Sequence, residues 1–427
     1  MNSTTLEAGL REARVLVCAG TGGVGKTTIA AALAIQASLL GRRTLVLTID
    51  PARRLADALG LASLGSRPTS VDLSAISEQF ASFPSANLDA MMLDAKPTFD
   101  RLITRLTANE EERQRILDNR IYEHLSSALA GSAEYAAMEQ VHELVASRRY
   151  DLIVVDTPPA DHALDFLRAP RRLREFLESR FVHALVRPAV SASRIGMRLF
   201  GRPLQRMFGL LERIAGKGFL DDLTEFLRAI EGLSSGFQER ATRVEQLLLG
   251  EETGFILISS PSSGSTASTL DFLADLDRFR VPLLAVVVNR LRPWPAEVNP
   301  AQLRSRCTAA ALERDEQRLA QDWPARREDT IGRDDSNVNV DNESAVEVEV
   351  TADLDPKDLT ANILEYAEIC AGERESVEVL AAVAARAKLR CHTVVELPGD
   401  IDRLEGLLEI GSNLRSQPNG HTREVAP

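Results

Sequence analysis

The sequence has no stretch approaching the ~18 uninterrupted apolar residues that a membrane-spanning helix needs, and no N-terminal basic patch followed by an apolar run. A transmembrane segment is therefore not expected, and the cytoplasm is the expected location. Cysteine is scarce. Cys18, Cys307, Cys370 and Cys391 are scattered without a C-x-x-C pair, so neither a disulfide framework nor a zinc site is signalled, and most of them are expected to be buried small hydrophobes. Positive charge is in deficit as well. A formal net charge of −12 argues against sequence-independent nucleic-acid binding, which relies on many Lys and Arg contacts to phosphate. No Asn/Thr-Lys-x-Asp guanine motif is present.

What is present suits a globular domain. At 427 residues with 44% hydrophobic content, the chain can hold one large α/β domain with insertions or two modest ones. Its charge is unevenly spread. Residues 168–217 carry a net +9 and residues 328–358 a net −9.

The most informative feature is the run Gly20-Thr21-Gly22-Gly23-Val24-Gly25-Lys26-Thr27, a complete G-x-x-x-x-G-K-[ST] phosphate-binding loop followed by Thr28. Its glycines let successive backbone N–H groups converge on phosphate oxygens. Lys26 reaches the β and γ phosphates, and the Thr27 hydroxyl completes a Mg²⁺ shell. The context agrees: Val15-Leu16-Val17-Cys18 has the continuous apolar character of a buried parallel strand, and Thr28 to Leu40 is an Ala/Leu-rich helix closed by Gly41. Two acidic motifs follow. Asp50 ends the strand after the first helix, where a carboxylate points at the phosphates, with a helix N-cap as its alternative role. Asp156 closes the apolar run Leu152-Ile153-Val154-Val155 as a Walker B carboxylate does, holding the metal through its water shell.

Apolar, β-branched runs recur at Thr44–Ile49, Leu152–Val155, Phe255–Ile258, Leu283–Val288 and His392–Glu396 with helical segments between them, the alternation of a doubly wound, mainly parallel α/β sheet. The expected nucleotide-binding core comprises about residues 12–66, 149–162, 250–300 and 373–412. Two gaps between strands exceed a single crossover helix, so 67–148 and 163–249 are expected to be helical insertions. Residues 300–372 are expected to be an acidic, partly disordered insertion with one edge strand at Val346–Val350, and 413–427 a disordered tail.

Taken together, these motifs resemble the ArsA family of P-loop ATPases, which includes the arsenite-pump ATPase and the ATPase that delivers tail-anchored membrane proteins. The stretch from Asp50 to Leu59 resembles the family's first switch, D-P-A-H-N-L-S-D-A-F, whose aspartate positions or activates the attacking water. Asp156 to Leu167 resembles the second switch, D-T-A-P-T-G-H-T-L-R-F-L, with Asp156, Thr157, Pro159, His162, Leu164, Phe166 and Leu167 keeping the pattern. Pro159 and His162 are accordingly expected switch elements. Val287-Val288-Asn289-Arg290 resembles the segment whose Asn recognises adenine; without the family pattern, Asn289 reads equally as a turn residue. Leu397-Pro398 resembles a loop that closes over the base, and Gly131–Leu144 a helix of bacterial members. The resemblance implies ATP and Mg²⁺ as ligands and runs from about Arg14 to Ser412.

One departure carries mechanistic weight. The family's loop reads G-K-G-G-x-G-K-[ST], and its signature lysine reaches across a dimer interface to the partner's phosphates; here that position is Thr21. A hydroxyl cannot supply that charge, so an Arg or Lys from elsewhere in the chain or from a paralogous partner is the expected replacement. Asp161 and Asp165 stand where the family has Gly and Arg.

With one phosphate loop per chain and a two-site family arrangement, a homodimer or a heterodimer with a paralogue is expected. From Arg180 to Lys217, Phe, Met, Leu and Ile alternate with basic residues, and Arg194, Arg198 and Arg202 fall at helical spacing before Pro203. This basic amphipathic stretch suits a hydrophobic client or a membrane-associated partner; helices covering one another is the equal alternative. The leading functional reading is an ATPase whose nucleotide state controls that surface. An arsenite or anion-pump subunit and a nucleotide-holding subunit without turnover remain open beside it.

Overall fold

A computed structural model describes residues 6–50, 53–74, 87–128, 132–158, 160–177, 219–294, 356–397 and 403–416. The strands are β1 (Val15–Gly20), β2 (Thr44–Thr48), β3 (Thr69–Ser70), β4 (Leu88–Met92), β5 (Leu152–Asp156), β6 (Thr253–Ser259), β7 (Leu283–Leu291) and β8 (Arg390–Val395). The helices are α1 (Leu6–Glu12), α2 (Lys26–Leu39), α3 (Arg54–Ala58), α4 (Ala95–Leu106), α5 (Glu110–Leu117) and α6 (Arg120–Ala128). They continue as α7 (Ser132–Ser147), α8 (Ala160–Leu177), α9 (Phe219–Leu249), α10 (Ser263–Arg278), α11 (Pro356–Arg386) and α12 (Leu404–Ser416).

β1, β2, β5 and β6 are buried at every position, which is why their sequences are apolar without alternation. The eight strands form one sheet in the order β3-β4-β2-β5-β1-β6-β7-β8. Every pair is parallel except β3 with β4. Alternate strand residues serve the two faces. Leu16, Val46, Val154 and Ile256 join α1, α2 and α12 in one core cluster, while Val17, Leu45, Ile153 and Phe255 join α4 to α9 in another. Each fully buried aliphatic side chain in these clusters contributes about 1.5–3 kcal/mol relative to exposure.

The doubly wound, mainly parallel architecture matches the sequence reading, and the structure adds detail to the segment boundaries. Residues 67–148, expected as helices alone, also supply β3 and β4. These strands are short, and β4 reads Leu-Asp-Ala-Met-Met, with little β-branched character to announce it. Residues 356–372, placed in the acidic insertion, are the first half of α11. That helix buries Ala367, Cys370, Glu373, Ser376, Leu380 and Ala384, a helical stripe mostly of small and polar residues that carries little hydrophobic signal. Glu373 is tolerated there because Arg292 pairs with it and the Arg292 backbone N–H donates to it at 2.9 Å. Residues 413–416, assigned to the tail, close α12, whose Leu407, Leu408, Ile410 and Leu414 are buried. α12 lies on α2, where Gln36 Nε2 donates to the Leu408 carbonyl at 3.3 Å. The edge strand expected at Val346–Val350, the remainder of the acidic insertion and residues 417–427 lie outside the described residues. No helix among the described residues is long and apolar enough to cross a membrane.

Candidate active site

In open α/β sheets, ligands bind beyond the carboxyl ends of the strands. Here β1, β5 and β2 are adjacent, and their carboxyl ends deliver Gly20, Asp156 and Asp50 to one place. The turn from β1 into α2 needs glycine at two positions for separate reasons. A Cβ on Gly20 would lie 2.1 Å from the Ile258 carbonyl oxygen of β6. Gly25 caps α2 at φ 87°, a left-handed conformation, and a Cβ there would meet Asn289 Nδ2 at 2.3 Å.

Lys26 begins α2, is buried, and donates from Nζ to the Thr21 carbonyl at 2.8 Å. Burial pushes its pKa down, while the carboxylates of Asp156 and Asp50 act against that shift. Thr27 Oγ1 donates to Asp156 Oδ2 at 2.8 Å, and Thr48 Oγ1 donates to the same oxygen at 3.0 Å. Thr48 Oγ1 also accepts from the Asp50 backbone N–H at 3.2 Å, so both acidic residues are tied to one hydroxyl. Asp156 Oδ1 is buried and has no hydrogen-bond partner among the described residues. Burial raises the Asp156 pKa to about 6 against the lowering pull of its two hydroxyl donors and Lys26. An orphaned, desolvated carboxylate oxygen beside the Thr27 hydroxyl fits a hydrated Mg²⁺, which keeps several waters and takes one or two carboxylates together with phosphate oxygens. Thr157 fixes the end of β5 by donating from Oγ1 to the Cys18 carbonyl at 2.8 Å.

The far side of the loop is braced by β7 and α10. Asn289 is buried and donates from Nδ2 to the Val24 carbonyl at 2.9 Å, while Arg290, at φ 63°, donates from Nη1 to the Gly23 carbonyl at 3.1 Å. Thr21 Oγ1 lies 3.2 Å from Ser265 Oγ, which itself accepts from the Ser260 backbone N–H at 3.1 Å.

The structure therefore brings Gly20 to Thr28, Asp50, Asp156 and Asn289 together around one loop. Pro159 and Pro398 lie outside the described residues. His162 falls in the first turn of α8, and its side chain is likewise not described. Ser265 and Arg290 contact the loop, and Thr48 contacts Asp156 and Asp50, roles the motifs did not assign. Thr48 is the hydroxyl that ends β2, after an apolar run and two residues before Asp50. Ser265 is one of several serines near the start of α10, and only the fold singles it out.

The sequence profile of the family described as anion-transporting ATPase matches residues 13–314. ATPase get3 of Aspergillus terreus is 28% identical over 279 residues, 65% of this chain and 73% of that protein. ATPase GET3 of Malassezia globosa is 26% identical over 277 residues, covering 65% and 72% of the two chains. ATPase ASNA1 homolog 1 of Paramecium tetraurelia is 26% identical over 273 residues, covering 64% and 73%.

Proposed function

This chain is an ATPase of the anion-transporting ATPase family, and from that premise we propose that it hydrolyses MgATP at the β1–α2 loop and couples nucleotide state to a helical binding surface. The loop amides and Lys26 bind the phosphates, and Asn289, hydrogen-bonded to the Val24 carbonyl, contacts the base. Thr27 and Asp156 are the residues that would hold Mg²⁺, which when bound neutralises phosphate charge. Asp50 accepts a hydrogen bond from the attacking water and takes its proton. The water oxygen bonds to the γ phosphorus as the bond from that phosphorus to the bridging oxygen breaks, and the electron pair leaves on ADP.

The observation that carries this reading is the Asp156 carboxylate, with two hydroxyl donors on one oxygen, none on the other, and Thr48 linking it to Asp50. Phosphate release by the purified chain, measured over a range of protein concentrations beside Asp50→Asn, tests it. Turnover that vanishes in the variant supports hydrolysis, and a rise per chain with concentration supports a self-dimer. No turnover above Asp50→Asn at any concentration would favour a nucleotide-holding subunit that acts with a paralogue. That second reading is motivated by Thr21, an uncharged side chain engaged with Ser265.

The coupled surface is the basic amphipathic stretch Arg180–Lys217, which lies outside the described residues. Its composition and the family resemblance support an apolar client or a membrane-associated partner. A proteolysis pattern unaltered by client peptide or anionic liposomes, with and without ATP, would overturn this part. An arsenite pump is less well supported. Trivalent arsenic wants converging thiolates, yet the chain has no C-x-C or C-x-x-C unit and Cys18 is buried in β1.

A further inference from the structure

We propose that Arg54 supplies, from within the same chain, the positive charge at the transferring phosphate that Thr21 cannot provide. This inference rests on the ATPase reading of the site. Phosphoryl transfer spreads charge over the equatorial oxygens, and a guanidinium placed there stabilises the transition state more than the ground state. Two other cations stand at the loop: Lys26, which binds the phosphates in the proposed reaction, and Arg290, whose Nη1 donates to the Gly23 carbonyl at 3.1 Å. Arg54 differs from both in where it stands and how loosely it is held.

Arg54 begins α3, directly after the strand end that carries Asp50, and its Nη1 lies 3.8 Å from Asp50 Oδ2. In the proposed reaction Asp50 orients the attacking water, so a guanidinium 3.8 Å from its carboxylate stands near that water and the phosphate it attacks. Its side chain is 72% exposed against 31% for Asp50, and an exposed pair at 3.8 Å is weak enough to exchange partners. A guanidinium has five N–H donors, which allows it to keep one contact to Asp50 while turning another toward a phosphate oxygen. Arg54 also acts on the loop lysine: it adds to the lowering that burial imposes on the Lys26 pKa, which Asp156 and Asp50 oppose. The sequence supports the same exchange of roles. The family's first switch has His-Asn where this chain has Arg53-Arg54, and its loop has Lys where this chain has Thr21.

The test compares wild type, Arg54→Ala, Arg54→Lys and Asp50→Asn as full chains, using phosphate release, ADP binding by fluorescence titration, and capture of ADP with fluoroaluminate as a mimic of the transferring phosphoryl. Arg54→Ala is expected to lower kcat at least tenfold, to change the ADP dissociation constant less than threefold, and to lose fluoroaluminate capture. Arg54→Lys is expected to fall between the two, and added guanidinium ion to restore part of the Arg54→Ala rate. A purely structural partner of Asp50 would not show that rescue. Wild-type turnover and capture in Arg54→Ala would overturn the inference and leave the ATPase reading intact. Equal loss of ADP binding and turnover would also overturn it, because the residue would then hold the ground state. Absence of turnover in the wild type would overturn both.

Discussion

On the face of the sheet that positions the phosphate loop, α2 presents Ala30, Ala31, Ala32, Ala34 and Ala37, all fully buried. On the other face, α7 and α9 share a core cluster that includes Tyr135, Met138, Phe226 and Phe237, and a part-buried ion pair joins Glu139 to Arg240. The small side chains of α2 let helix and sheet approach closely and leave no rotamers to rearrange, which suits a platform that must hold a loop in one geometry. The helical layer is held by larger side chains and carries polar atoms that lack partners among the described residues: Tyr135 Oη, Glu139 Oε2, His142 Nδ1 and Arg240 Nε. Burial, reinforced by Arg240, lowers the His142 pKa, so that ring is favoured in its neutral form. Buried polar pairs are worth little net stability but are costly to half-remove. The difference teaches that the loop face is held by close packing of small side chains and the helical face by larger ones with a charge pair among them, so the two should respond differently to substitution.

The largest expected effect is on the helical face. Arg240→Ala leaves Glu139 buried without its partner and should lower unfolding free energy by about 3–5 kcal/mol, whereas Glu139→Leu with Arg240→Met should be near neutral. Urea denaturation measures both, and a double variant as damaged as the single one would break the comparison. On the loop face, Gly20→Ala forces a methyl onto the Ile258 carbonyl and should cost about 1–3 kcal/mol together with most nucleotide affinity. Retained affinity in that variant would show that the loop tolerates reshaping.

A subtler difference is in pH response. The Asp156 pKa is raised by burial to about 6, above its unfolded value, so the folded state binds the extra proton between about pH 4 and 6. This group therefore favours folding at low pH, and its contribution declines as pH rises through about 6. Metal binding needs the opposite, ionised form. Mg²⁺-dependent nucleotide affinity should then weaken by about tenfold per pH unit below 6, and Asp156→Asn should abolish that dependence. Isothermal titration at several pH values would sharpen the assignment, and a flat profile would remove Asp156 from the metal site. The smallest effect is at the surface: Arg171→Ala breaks an exposed pair with Glu175 at 2.9 Å and should shift stability by no more than about 0.5 kcal/mol in thermal unfolding, with hydrolysis unchanged.

The phosphate loop and the two strand-terminal aspartates were legible in the sequence because each is a local pattern. Glycines at fixed spacing, a following Lys-Thr and a carboxylate closing an apolar run all act through the chain segment in which they occur. Asn289 was legible only through the family pattern, and its hydrogen bond to the Val24 carbonyl joins residues 265 positions apart. β4 and the first half of α11 were missed because their side chains are ordinary, and burial is conferred by neighbours rather than announced by hydrophobicity.

By itself, then, the sequence determined a nucleotide-binding α/β chain and its phosphate-loop motif, since these follow from residue type and short spacing, while the missing lysine at Thr21 was legible only against the family pattern. Tertiary structure decided which hydroxyls satisfy Asp156, which oxygen they leave bare, and what braces the loop from behind. Those contacts depend on strand order and register, and a parallel sheet brings together the ends of strands that the chain itself separates by a hundred residues or more.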